Sequence, residues 1–142
     1  MICKIRCIEF YSSGVGMTGK KRILVVEDND FVRMQIVKFL GDEGYDTLES
    51  TDGQEALDVV TDNIDLAIVD VRMEPVDGFE FVRTIRSASL KTPVILVTGD
   101  DNPDLLNESA KLGIGAVLKK PVQKDRLIKT VSRTLLVEQR SI

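Results

Sequence analysis

From Lys20 onward, short continuous apolar runs alternate with stretches whose apolar residues recur at helical spacing. The runs are Ile23-Leu24-Val25-Val26, Leu66-Ala67-Ile68-Val69 and Val94-Ile95-Leu96-Val97, with Ala116-Val117-Leu118 a shorter version. A run without polar alternation suits a strand covered on both faces, as in a parallel sheet. Thr47-Leu48-Glu49-Ser50 is more polar and fits an edge strand. Between the runs, Val32, Ile36, Phe39 and Leu40 follow Asp30 at i, i+4, i+7 and i+8, and Gly41 and Gly44 offer stops. Ala56, Leu57 and Val60 predict a short helix before Asn63, and Phe81, Val82 and Ile85 form another apolar stripe. A further helix is expected from about Asp104 to Leu112, and Leu127, Ile128, Val131 and Leu135 give the last one its apolar face, with an end near Glu138.

Strand followed by helix, five times over, implies βαβ units. The predicted fold is α/β, a doubly wound five-stranded parallel sheet. Ligands of such sheets bind beyond the carboxyl ends of the strands. Residues 1–19 differ in texture: Ser12, Ser13, Gly14, Gly16 and Gly19 read as a flexible arm ahead of a domain spanning 20–140. Gly14 to Gly19 matches G-x-G-x-x-G by letter, and Gly14 to Lys20 matches G-x-x-x-x-G-K. Both precede a strand where a phosphate-binding loop needs a helix, and Lys21 stands where Ser or Thr would hold magnesium, so neither is read as a nucleotide site.

Composition narrows the function. The chain has 142 residues, enough for one domain to bury a sizeable core without staples. Its net charge of −4 argues against nucleic acid as a direct partner. It contains no histidine, which excludes Ser-His-Asp triads, histidine-ligated zinc and phosphohistidine on this chain. Any histidine in the mechanism comes from a partner. Cys3 and Cys7 form one isolated C-x-x-x-C, too little for a zinc or disulfide framework. With no secretory leader and no apolar stretch near the ~18 residues of a membrane span, the expected location is cytoplasmic.

The residues that end the apolar runs carry the chemistry. The first strand ends in Glu27-Asp28, the third in Asp70, the fourth in Thr98 and the fifth in Lys119-Lys120-Pro121. Parallel strands bring all of these to one sheet edge. Two like charges ~4 Å apart repel by about 4 kcal/mol at an effective dielectric of 20, so the carboxylates need a cation. An oxygen-only cluster without His or Cys suits a hard ion, and Mg2+ is the natural candidate.

Taken in order, Glu27-Asp28, Asp70, Asp77-Gly78, Thr98-Gly99 and Lys120-Pro121 resemble the receiver domain of two-component response regulators, over about Lys21 to Val137. The resemblance implies a flavodoxin-like fold with strand order 2-1-3-4-5. It implies that Asp70 accepts a phosphoryl group and that Asp28, Asp70 and the backbone carbonyl of Arg72 ligate Mg2+, with Glu27 holding a metal-bound water. Thr98 would donate its hydroxyl to a phosphoryl oxygen, and Lys120 would pair with the phosphoryl group across a cis bond to Pro121. The donor would be a sensor histidine kinase or a histidine phosphotransfer protein, and phosphorylation would change affinity for a downstream effector protein. A monomer or weak homodimer is expected, with no membrane contact, and the chain is either a stand-alone regulator or a receiver cut from a longer protein.

Three features depart from the family pattern. The proline after the phosphoacceptor comes one place late, in Met73-Glu74-Pro75. Val117 stands where Tyr or Phe is common, so no aromatic switch is available and signalling is expected to rely on Thr98 and backbone movement. Arg72 and Asp100 flank the expected path of attacking water, either as a pair or as two independently solvated side chains. Against the receiver reading stand an aspartyl-phosphate phosphatase, weakened by Arg72 where a second Asp would be wanted, and a degenerate receiver serving only as an interaction surface, weakened by the intact acidic set.

Overall fold

In the computed structural model, residues 20–61, 63–100 and 102–140 are described. The expected arm over residues 1–19, with Cys3, Cys7 and the glycine-rich motif, lies outside them. The elements run β1 (Arg22–Val26), α1 (Asp30–Asp42), β2 (Asp46–Ser50), α2 (Gly53–Val59), β3 (Leu66–Asp70), α3 (Gly78–Ser87), β4 (Val94–Thr98), α4 (Asp104–Lys111), β5 (Ala116–Lys119) and α5 (Lys124–Arg140). All strand pairs are parallel, in the order β2-β1-β3-β4-β5. The polar strand is therefore at an edge, as its composition predicts.

The unbroken apolar runs are explained by two cores, one on each face. Alternate residues Leu24, Val26, Ala67, Val69, Val94 and Leu96 pack with Ala56, Phe81, Val82 and Ile85 of α2 and α3. Their neighbours Ile23, Val25, Leu66, Ile68, Ile95 and Val97 pack with Ile36 and Leu40 of α1 and with Leu127 and Val131 of α5. Each strand residue thus buries a side chain in one layer or the other, which is why no polar residue interrupts the runs.

Helix starts follow from caps. Asn29, Asp52 and Asp77 accept from the backbone N–H groups of Val32, Glu55 and Glu80, satisfying donors with no partner inside the helix. Gly41, expected as a stop, instead lies inside α1; the chain turns at Gly44, whose φ of +88 is glycine's own territory. Pro75 and Pro121 both follow cis peptide bonds, the second as the resemblance implies.

Gly78 sets the placement of α3 against the end of β3. Its N–H donates to Val71 O at 3.0 Å, and a Cβ there would sit 2.5 Å from Asp70 O and 3.0 Å from Val71 Cα. Gly78→Ala is expected to destabilise the fold by about 1–3 kcal/mol through overpacking against backbone that cannot yield. Gly41→Ala, inside a helix with nothing within 4 Å of the new methyl, is expected to stabilise by about 0.5–1 kcal/mol. Urea unfolding of both variants beside the wild type checks the two opposite signs.

Candidate functional site

Each strand delivers its side chain where the ladder ends. β1 gives way to Glu27 and Asp28, Asp70 and Thr98 close β3 and β4, and Lys120 follows β5. Glu27 N–H still pairs with Ser50 O at 3.1 Å and Lys120 N–H with Thr98 O at 2.8 Å, so both side chains start from backbone tied to a neighbouring strand. Glu27, Asp70 and Thr98 are 1%, 5% and 2% exposed, whereas Asp28 faces solvent.

One oxygen from each of Glu27, Asp28 and Asp70 lies within 4.8 Å of the others. Lys120 Nζ sits 3.2 Å from Glu27 Oε1 and 3.3 Å from Asp70 Oδ2. Burial, then the Asp70 charge, push the Glu27 carboxyl up to about 7, against opposing pulls from the Asn29 N–H and Lys120. Burial works against the Lys120 ammonium, but the charges of Asp70 and Glu27 outweigh it and raise its pKa. Lys120 directs its hydrogen bond at Glu27 Oε2; buried Oε1, though close to the ammonium, receives no hydrogen bond among the described residues.

The residues fit a hard divalent cation. The donors are all carboxylate oxygens, one buried oxygen lacks a hydrogen bond, and a single ammonium faces three carboxyl groups. A small cation preferring oxygen ligands suits that set, and Mg2+ suits a site with two buried carboxylates and one open to water.

Glu27, Asp28, Asp70, Arg72, Thr98 and Lys120 all line one open cleft of about 590 Å³. The six residues named from the sequence as phosphoacceptor, phosphoryl partners and metal ligands thus lie together. Thr98 Oγ1 accepts from Asp100 N–H at 3.0 Å, which leaves its hydroxyl proton free to donate into the cleft. Arg72 N–H donates to Asp70 Oδ1 at 3.3 Å, and its guanidinium pairs with Asp100. Of the two arrangements open from sequence, the ion pair forms, and Arg72 holds the Asp100 carboxyl below its ordinary range. A larger concavity of about 1180 Å³ follows β5 and α5, but Asp125 is the one carboxyl group on a wall that includes Arg126, Lys129 and Arg133, so size does not locate the chemistry.

Other contacts were not read from the sequence. Asn29 N–H donates to Glu27 Oε2 at 3.2 Å, and Arg33 reaches Glu27 O at 2.8 Å. The i, i+3 spacing of Asp30 and Arg33 is the signal from which their ion pair can be found, but a bond to a strand-end carbonyl has no sequence signature. Val117 is half-buried against the core shared by α2 and α3. Met73 is buried in that core too, ahead of the displaced Pro75.

Residues 23–132 match the family model described as the response regulator receiver domain. Over 116 residues the chain is 29% identical to sporulation initiation phosphotransferase F of Bacillus subtilis, covering 81% of this chain and 94% of that protein. It is 34% identical over 117 residues to the CAI-1 autoinducer sensor kinase/phosphatase CqsS of Vibrio cholerae, covering 80% of this chain but 17% of that protein. Among solved structures, chemotaxis protein CheY4 of Vibrio cholerae superposes with a TM-score of 0.75 at 31% identity, covering 82% of this chain and 99% of that one. The chain belongs to the response regulator receiver domain family, the signalling modules of two-component systems.

The charge balance around Lys120 can be tested without any donor. Lys120→Met leaves Glu27 and Asp70 facing each other with no ammonium between them. In metal-free buffer it is expected to cost about 1–3 kcal/mol, less than a fully buried pair because Lys120 is 26% exposed. Added Mg2+ is expected to restore part of the loss, read as a larger rise in melting temperature than in the wild type.

Proposed function

We propose that Asp70 is the phosphoacceptor of this receiver and that the phosphoryl group comes from phosphohistidine on a sensor histidine kinase or a histidine phosphotransfer protein. The observation that carries the reading is the convergence of Glu27, Asp28 and Asp70 on one cation-sized space, with Lys120 bridging Glu27 and Asp70. The absence of histidine supports a donor outside these 142 residues. Supporting the partner class, relatives include a sensor kinase and a sporulation phosphotransferase.

An Asp70 carboxylate oxygen attacks the phosphorus, the P–N bond breaks, and the imidazole leaves with its electron pair and takes up a proton. Asp28, Asp70 and the carbonyl of Arg72 would hold a Mg2+ ion, with Glu27 placed to hold a metal-bound water, and the ion would supply neutralisation of charge on the phosphoryl oxygens. The chain's own part is placement: Lys120 pairs with the phosphoryl oxygens, and the Thr98 hydroxyl donates to another. The domain's only chemistry in this reading is transfer onto Asp70 and slow hydrolysis from it, and its output is altered affinity for a protein partner. No helix among the described residues is long and apolar enough to cross a membrane.

Intact-mass analysis after incubation with acetyl phosphate and Mg2+ tests the reading. One Mg2+-dependent phosphoryl adduct is expected, absent in Asp70→Asn. A folded protein that gains no adduct, or gains it equally in Asp70→Asn, refutes the assignment. The Arg72–Asp100 pair lies across the same cleft and restricts approach of water to phosphorylated Asp70. Arg72→Ala is expected to shorten the phosphoryl lifetime by about 2–10-fold, on the order of 1 kcal/mol of barrier, followed as loss of the adduct after donor removal.

A further inference from the structure

We propose that Arg33 is a positioning residue for the divalent-cation site, acting through the backbone carbonyl of Glu27. The inference rests on the reading that Glu27, Asp28 and Asp70 hold a cation.

Arg33 is a charged side chain only 12% exposed, and each of its donor nitrogens serves a different element. Nη1 donates to Glu27 O at 2.8 Å where β1 ends, Nη2 to Asp30 Oδ1 at 2.6 Å in the first turn of α1, and Nε to Glu49 Oε1 at 3.1 Å on edge strand β2. A planar guanidinium can satisfy three acceptors spread around its rim; a lysine ammonium on a flexible stem cannot hold the same three in one plane.

The bond to Glu27 O completes the fixing of that residue. Its N–H is held by Ser50 O from β2, its carbonyl by Arg33 from α1, and its carboxylate by Asn29 N–H and Lys120. Asn29 is held in turn, because its side chain caps α1 at Val32 N–H. Asp28 lies between these two anchored residues and inherits its backbone placement from them. A carboxylate open to solvent thereby starts from a rigid turn, the condition for ligating a small cation without a large ordering cost.

The charge arrangement separates placement from electrostatics. An unpaired guanidinium behind three carboxylates would repel an incoming cation. Asp30 and Glu49 offset that charge, so Arg33 holds the turn while adding little positive potential. Removing the positive charge would tighten cation binding if Arg33 acted only through space. Removing a positioning bond weakens it. The two roles have opposite signs.

The test is calorimetric titration of the full chain with MgCl2, for the wild type, Arg33→Met and Arg33→Lys. Both variants are expected to bind Mg2+ about 10-fold more weakly, in the range seen when a partner of a metal ligand is lost. Amide resonances of Asp28 and Asn29 are expected to shift in the metal-free variants. At Mg2+ concentrations that saturate each protein, the rate of adduct formation from acetyl phosphate is expected to return to within about threefold of wild type, on the order of 0.7 kcal/mol. Arg33→Lys retains the charge and serves as the second variant should Arg33→Met fail to fold. Unchanged or tighter binding in the folded variants, even with a lowered melting temperature, overturns the inference and leaves Arg33 a stability residue. A wild-type chain that binds no Mg2+ overturns the cation reading itself.

Discussion

The structure depends on keeping two buried carboxyl groups, Glu27 and Asp70, beside a single ammonium. Repulsion of this size would drive independent side chains apart or into water, and it does neither because each is carried by a central strand whose backbone is committed to the ladder. β1 and β3 are hydrogen-bonded neighbours, so their carboxyl ends meet at fixed spacing. The two cores on either face hold the strands in register, and the energy of burying those apolar rows opposes the local electrostatic strain. Burial first, and the Asp70 charge second, push the Glu27 carboxyl up to about 7. In the proposed reading this concentration of carboxyl groups is what a divalent cation would offset before a phosphoryl group arrives.

The architecture was legible in the sequence because its strongest signals are burial signals. A strand with both faces covered has no room for alternation, and Leu66-Ala67-Ile68-Val69 or Val94-Ile95-Leu96-Val97 admits few other readings. Helix ends were less legible. Gly41 looked like a stop, yet its position in α1 has open space and ordinary helical geometry, and a turn that needs positive φ comes only at Gly44. Glycine in a sequence marks where a backbone may bend freely; which glycine bends is decided by the packing around it.

The cluster itself was legible for a related reason. Parallel topology turns residues far apart in sequence into neighbours at one edge, so reading the last residue of each apolar run is enough to assemble Glu27, Asp28, Asp70, Thr98 and Lys120. The bonds that fix Glu27 were not legible because they run through backbone atoms. Arg33 to Glu27 O and Asn29 N–H to Glu27 Oε2 depend on the turn between β1 and α1 adopting one conformation. The Arg72–Asp100 pair, 28 residues apart, needed the β3 and β4 ends to be adjacent and both side chains to lean across the cleft.

The same distribution of restraint bears on how a charge change at Asp70 travels. α3 is tied directly to the site, since Gly78 packs on the Asp70 carbonyl and Asp77 caps the helix. α4 is tied far less: its N-cap, Pro103, supplies no side-chain bond, Asn102 Oδ1 accepts from Asp104 N–H at 3.0 Å, and Ser109 is its one buried residue. An ion pair from Arg83 to Glu108 links it to α3, and such exposed pairs contribute only ~0–1 kcal/mol. Elements with few buried contacts open at the lowest free energy. A movement of Thr98 at the end of β4, as proposed for signalling, would therefore meet least resistance towards α4 and the Thr98–Lys119 register with β5. With valine rather than an aromatic ring at Val117, no bulky side chain must change rotamer for that movement, and the proposed response would be carried by backbone and helix placement.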